Sequence, residues 1–216
     1  MFRRLGLCSF AGLFLSAFLV TPVTADTVIQ LASVGTAADS SQYNSQGATI
    51  SIEPNSAWAA PLPGSSWVSF ESTGNPNTPG FVALANGTVV DFFDVFTVPG
   101  TATGGSISVM ADDSAAVYLN GLLLVPEAPS AGNTYHTCSD FGIGCVRPDV
   151  IDLPAADLHS GANTLEFAVA QRDGSSYGLD YAGYVTDPLA TPEPLSLALV
   201  GTGLLAMAFL LRRRLA

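Results

Sequence analysis

Ala115-Ala116-Val117-Tyr118-Leu119-Asn120-Gly121-Leu122-Leu123-Leu124-Val125 is the stretch that decides the fold class. Two short apolar runs flank Asn-Gly, the pair best suited to the two positive-φ positions of a type I′ turn. The segment therefore reads as a β-hairpin. The same texture continues on both sides. Residues 88–98 are rich in β-branched and aromatic side chains, and 106–110 put Ile107 and Val109 on one face. Downstream, 164–170 carry Leu165, Phe167 and Val169, and 177–185 close the set. Toward the N-terminus, 27–32, 48–53 and 67–70 add three more runs, with Ile50 and Ile52 sharing a face. Alternation with period two, punctuated by Gly, Pro, Asn and Ser, predicts antiparallel β-structure. Only 155–160 read as a short helix or turn. There is no βαβ alternation and no fixed-period repeat, so the predicted architecture is all-β, an antiparallel sandwich of the jelly-roll type.

The charges around this core are one-sided. The 216 residues hold 18 acids and 7 bases, a net charge of −11, with 48% hydrophobic and only 12% charged side chains. Every base is arginine, which excludes a P-loop lysine or a Schiff base. Five of the seven arginines sit at the two ends, so 26–191 carry 17 acids against Arg147 and Arg172. Such a domain does not neutralise phosphates, and nucleic acid is excluded as a partner.

The ends carry an address. Arg3 and Arg4 precede an apolar run from 5 to 20, then Pro22 and Val23-Thr24-Ala25. A basic start, an apolar stretch and small residues predict an N-terminal signal helix over 1–25, cleaved by signal peptidase between Ala25 and Asp26. At the other end Pro192-Glu193-Pro194 is followed by 17 uncharged residues, 195–211, and then Arg212, Arg213 and Arg214. At about 1.5 Å per residue the run spans about 25 Å, enough for a thin bilayer. A C-terminal transmembrane helix with the arginines cytoplasmic is expected. The predicted boundaries are 1–25 signal, 26–190 ectodomain and 191–216 tail.

Pro192-Glu193-Pro194, a helix containing Gly201 and Gly203, and the arginine tail resemble the PEP-CTERM sorting signal over about the last 26 residues. The resemblance implies a Gram-negative bacterium and an inner-membrane intermediate. It further implies processing by exosortase, then a place at the cell surface or in an exopolysaccharide or biofilm matrix. Within the ectodomain, 111–121 (Ala-Asp-Asp-Ser-Ala-Ala-Val-Tyr-Leu-Asn-Gly) resemble a hairpin of many PEP-CTERM ectodomains and of galactose-binding-like and flocculin-type lectin sandwiches. Residues 158–167 resemble a strand start of the same folds, and Trp58 and Trp67 resemble their tryptophan pair. The resemblance implies a galactose-binding-like, lectin-type ectodomain. In flocculin-type lectins an Asp-Asp pair at the matching place holds calcium, which makes Asp112 and Asp113 the candidate calcium ligands here. The other reading is that one of them caps the turn through backbone N–H groups.

The remaining chemistry is thin. Cys138 and Cys145, with six residues between them in a Gly-containing loop, are expected to form a disulfide in an exported chain. Gly174-Ser175-Ser176-Tyr177-Gly178 matches a nucleophile elbow, but both histidines, His136 and His159, precede the serine and the flanks read as strands, so it reads as a turn. Asp91, Asp94, Asp149 and Asp152 are carboxylates that a glycosidase would need in pairs; in so acidic a chain they read as surface. Of the aromatic residues, Trp67 is expected in the core. Trp58, beside Pro61 and Pro63, is the expected exposed sugar platform, with Asp112, Asp113 and Asn120 as further ligand-binding candidates. The sequence predicts an exported, non-enzymatic surface or matrix protein that associates with exopolysaccharide through carbohydrate binding. The alternatives are a ligand-neutral structural spacer and a secreted glycan-active enzyme.

Overall fold

The computed structural model describes residues 24–127, 143–172 and 175–190, together with 201, 202, 204, 205 and 212. The chain divides into two compact units, Thr24–Leu189 and a second made of Met1–Val23 with Ala190–Ala216. In the second unit Gly201, Thr202, Leu204, Leu205 and Arg212 are helical. Among the described residues no helix is long and apolar enough to cross a membrane. Residues 1–23 of the expected signal helix (1–25), Pro192-Glu193-Pro194, Arg213, Arg214 and most of 195–211 lie outside the described residues.

The first unit is two antiparallel sheets. Its strands are β1 (Thr24–Ala32), β2 (Gln42–Asn44), β3 (Gly47–Ala48), β4 (Ile50–Ser51), β5 (Val68–Ser69), β6 (Val89–Val98), β7 (Gly104–Asp112), β8 (Ser114–Leu119), β9 (Leu122–Val125), β10 (Asp149–Leu153), β11 (Gly161–Ala170) and β12 (Gly178–Ala190). Sheet 1 has the order β10-β7-β12-β5-β4, with β1 also on β12; sheet 2 has the order β3-β2-β6-β11-β8-β9. The Asn120-Gly121 hairpin forms as expected, with φ of 53° and 78° at its two central residues. The run 155–160 holds one 3-10 turn, Ala155–Asp157. β1 begins at Thr24 and so runs across the expected cleavage point between Ala25 and Asp26.

Period two does the sorting. On β6 Val90, Phe92, Phe96 and Val98 are buried while Val89 and Thr97 are exposed. β11 pairs with β6 along its whole length and buries Leu165, Phe167 and Val169 on the same side. Sheet 1 answers with Ile107, Val109, Leu179 and Tyr181, and the Tyr181 ring stacks on Phe167 at 4.5 Å. Each such side chain contributes about 1.5–3 kcal/mol on leaving water.

Sheet 1 has a second, smaller core on its outer side. Met110, between inward Val109 and Ala111, meets Trp58, Trp67 and Cys145 there, packed by Ile52, Ala59 and Leu62. The Pro-rich segment 54–66 covers this patch. It is tied down by Ala59 N donating to Cys145 O at 2.9 Å and Leu62 N donating to Asp180 Oδ2 at 2.8 Å.

β7 and β12 approach closely at Gly183, opposite Ile107. A Cβ there would overlap the Ser106 carbonyl oxygen and stand 2.6 Å from Ile107 Cα. Gly183→Ala is therefore expected to destabilise the domain by about 2 kcal/mol through overpacking. Urea unfolding of the full chain measures it, and an unchanged midpoint would refute the close-approach argument.

Candidate functional site

The chain passes from sheet 1 to sheet 2 at Asp112-Asp113, between β7 and β8. The peptide joining the two aspartates is cis. Both side chains are buried, at 6% and 1% exposure. Asp112 Oδ2 accepts a hydrogen bond from Trp58 Nε1 at 2.6 Å. Its carboxyl also hydrogen-bonds that of Asp113. Asp113 Oδ2 accepts from the Arg172 backbone N–H at 2.6 Å. Burial first, then the hydrogen bond and charge of Asp113, hold the Asp112 carboxyl well above the usual aspartate range; the Trp58 indole opposes this only in part. Ionising both of two desolvated carboxyls in contact is costly, and a cation between them would relieve that cost.

An ion pair flanks the aspartates. The half-buried Arg172 guanidinium forks onto Glu127, with Nε donating to Oε1 at 2.7 Å and Nη2 to Oε2 at 2.5 Å. Ser114 Oγ donates to the same Oε1 at 2.6 Å. Burial acts to raise the Glu127 carboxyl, but Arg172 and Ser114 outweigh it and bring it below the ordinary value. Sequence reading did not single out this pair. Its one signal was rarity, since Arg172 is one of two arginines between the chain ends.

One expected ligand residue is corrected by its surroundings, and another is engaged within the fold. Trp58 is not an exposed platform: it is 8% exposed, its ring lies 4.3 Å from that of Trp67, and its indole N–H is spent on Asp112. The ring also packs so closely over Gly178 that a Cβ there would stand 2.9 Å from it. Trp67 is fully buried, as expected. Asn120 is engaged within the fold. Its Nδ2 donates to Asp157 O at 2.7 Å and to Asn163 Oδ1 at 2.9 Å, and its Oδ1 accepts from Thr164 N at 2.9 Å. The two weak motifs at 111–121 and 158–167 are thus one unit, clasped by Asn120 and Asn163.

Other candidates are dispersed. Asp94 points into the sandwich, accepting from Tyr181 Oη at 2.8 Å and Ser41 Oγ at 3.1 Å, whereas Asp91 lies on the opposite face of β6. Asp149 and Asp152 are on β10 in the other sheet. Ser176 is buried, accepts from Asn55 Nδ2 at 2.7 Å, and is followed directly by β12 rather than a helix. Cys145 is buried and disulfide-bonded; Cys138 lies outside the described residues, as does His136.

The donor chemistry at Asp112 and Asp113 suits a hard cation in kind, since calcium takes about six to eight oxygens from carboxylates, carbonyls and water. In number the pair is a beginning. Among the described residues no group of three or more His, Cys, Asp or Glu is placed to hold a metal ion.

Fold and site define an antiparallel two-sheet β-sandwich with a buried, hydrogen-bonded aspartate pair at a sheet-to-sheet corner. No family model matches the chain, and no curated protein matches it. Among solved structures it is similar to a family 35 carbohydrate-binding module from Clostridium thermocellum, with 13% identity, 72% of this chain and 97% of that one covered, and a TM-score of 0.38. It is also similar to an α-L-rhamnosidase from Streptomyces avermitilis, with 22% identity, 72% and 13% covered, and a TM-score of 0.43. A β-glucuronidase from Bifidobacterium dentium gives 17% identity, 76% and 30% covered, and a TM-score of 0.38. Likenesses at this level bear on neither ligand nor activity.

Proposed function

We propose that this chain is an exported, non-enzymatic surface or matrix protein whose galactose-binding-like β-sandwich associates with exopolysaccharide. Its tail, with Pro192-Glu193-Pro194 and Arg212 to Arg214, directs sorting through exosortase after signal peptidase has acted, and a Cys138–Cys145 disulfide closes the long loop before β10. The observation that carries the ligand-binding part is the Asp112–Asp113 pair, two buried carboxyls held in contact at a strand end. Asp112 and Asp113 are the residues that would hold calcium. The ion would supply an electrostatic anchor for sugar hydroxyls, and the Trp58 indole holds Asp112 in place for either occupant, proton or cation.

The test is thermal melting of the full chain in mild detergent, with millimolar calcium or with EDTA, alongside a glycan array. Calcium is expected to raise Tm by about 4 °C and to promote glycan capture. The Asp112→Ala, Asp113→Ala double variant is expected to lose both responses. A wild-type protein whose melting ignores calcium and which captures no glycan is a spacer, and the reading fails.

A further inference from the structure

A row of side chains crosses the outer face of sheet 2. Tyr43 on β2 is paired with Phe93 on β6, Phe93 with Glu166 on β11, and Glu166 with Tyr118 on β8. Directly opposed residues of antiparallel strands share a face. Their chain neighbours Phe92, Phe167 and Val117 are buried in the core, so the row points outward. Tyr43 is 45% exposed and stacks on Phe93 at 4.9 Å and 19°. Strands lie about 4.8 Å apart, which puts Phe93 and Tyr118 about 10 Å apart with Glu166 between them. That is close to the length of a disaccharide in an extended β-linked chain.

The charge on this face is unbalanced. Asp91 is two residues from Phe93 on the same side of β6. Partial burial, and then the charge of Asp91, raise the Glu166 carboxyl above its ordinary value. The strands of this sheet contain no Lys, Arg or His. Aromatic rings beside carboxylates attract an ammonium twice over, through the ring quadrupole and through the charge. The same rings pack against the apolar faces of sugars, and an acidic polysaccharide is repelled.

We propose that the outer face of sheet 2 binds an extended glycan that carries free amino groups. Tyr43, Phe93 and Tyr118 pack against its rings, and Glu166, backed by Asp91, pairs with an ammonium. This site is separate from the aspartate corner and works without calcium.

The experiment is calorimetric titration of the full chain, in EDTA, with a glucosamine hexamer, a neutral glucose hexamer and an acidic oligogalacturonate. The glucosamine hexamer is expected to bind roughly tenfold more tightly than the neutral chain, and the acidic chain not at all. Glu166→Gln and Tyr118→Ala should each weaken binding by about tenfold at unchanged Tm, and Asp112→Asn should leave it unaltered. Equal affinity for the neutral chain, or full binding in both variants, overturns the proposal. So does a calcium requirement, which would return binding to the aspartate corner. A dimer in solution that Tyr43→Ala separates also overturns it, because the face would then be covered by a second copy. Loss of the calcium response with this binding intact would overturn only the earlier reading.

Discussion

Replacing Asn163 with alanine is expected to destabilise the sandwich by about 4 kcal/mol. Asn163 is almost fully buried at the start of β11. Its Oδ1 accepts from His159 N at 2.8 Å and from Asn120 Nδ2, and its Nδ2 donates to His159 O at 2.8 Å and Gly161 O at 3.0 Å. Alanine leaves four partly buried polar groups short of a partner, and each such loss costs about 1–3 kcal/mol before relaxation and rehydration. Asn163→Asp does not rescue it, because an acceptor then faces two carbonyls. Asn120→Ala should cost less, since Asn120 is half-exposed and water replaces part of what it gives up. The two share a hydrogen bond, so the double variant should fall short of the sum of the singles. Urea unfolding of the full chain decides it. A loss below about 1 kcal/mol for Asn163→Ala, or strict additivity, would mean the two turns are not clasped together.

Stability is expected to fall as pH rises from mildly acidic to neutral, the reverse of a protein held by carboxylate salt bridges. Asp94, Asp112 and Asp180 all have carboxyls raised above the ordinary 3.8, each chiefly by burial. At Asp112 the contact with Asp113 adds to burial. At Asp94 the Tyr181 and Ser41 hydrogen bonds offset part of it, and at Asp180 those from Ser65, Leu62 and Ser33 do so. A group that holds its proton more tightly when folded stabilises the fold fully below its unfolded pKa. That contribution is lost as pH climbs through the folded pKa. Glu127 acts in the opposite sense: its lowered carboxyl contributes above its ordinary 4.5 and is lost on acidification. It is one half-exposed group against three buried ones. Urea midpoints between about pH 4 and pH 8, in EDTA, should therefore decline, and Asp112→Asn should flatten the curve most. If calcium binds at Asp112 and Asp113 as proposed, adding it should restore the part of the alkaline-end stability that Asp112 accounts for. A wild-type midpoint that rises steadily with pH, unchanged in Asp112→Asn, would refute the raised Asp112 carboxyl.

Much of the strand inventory was legible because burial on one face writes period two into the chain. β6 and β11 follow this pattern, whereas β8 is buried on both faces and β9 on neither, and these two were legible as apolar runs on either side of Asn120-Gly121, which carries its own turn chemistry. β10 was not, since Asp149 and Asp152 bracket it with charge and Val150 is 71% exposed on an edge strand. β2 was not either, because Gln42 and Asn44 are its buried side chains; Gln42 Oε1 accepts the N–H groups of Val34 and Gly35, a role no hydrophobic pattern announces. Trp58 misled for a related reason. Its prolines suggest an exposed loop, yet the loop is folded back over Met110 and pinned by Asp180, a contact 118 residues away along the chain.

The sequence by itself determined that the domain is all-β and strongly acidic, because side-chain alternation, turn residues and charge are local properties. Only the tertiary structure decided that β7 and β8, adjacent in sequence, belong to different sheets with Asp112 and Asp113 at the corner. It alone brought Tyr43, Phe93, Glu166 and Tyr118 into one row from four separate strands. Register is set by how two sheets bury their inner faces together, and that energy belongs to no single segment.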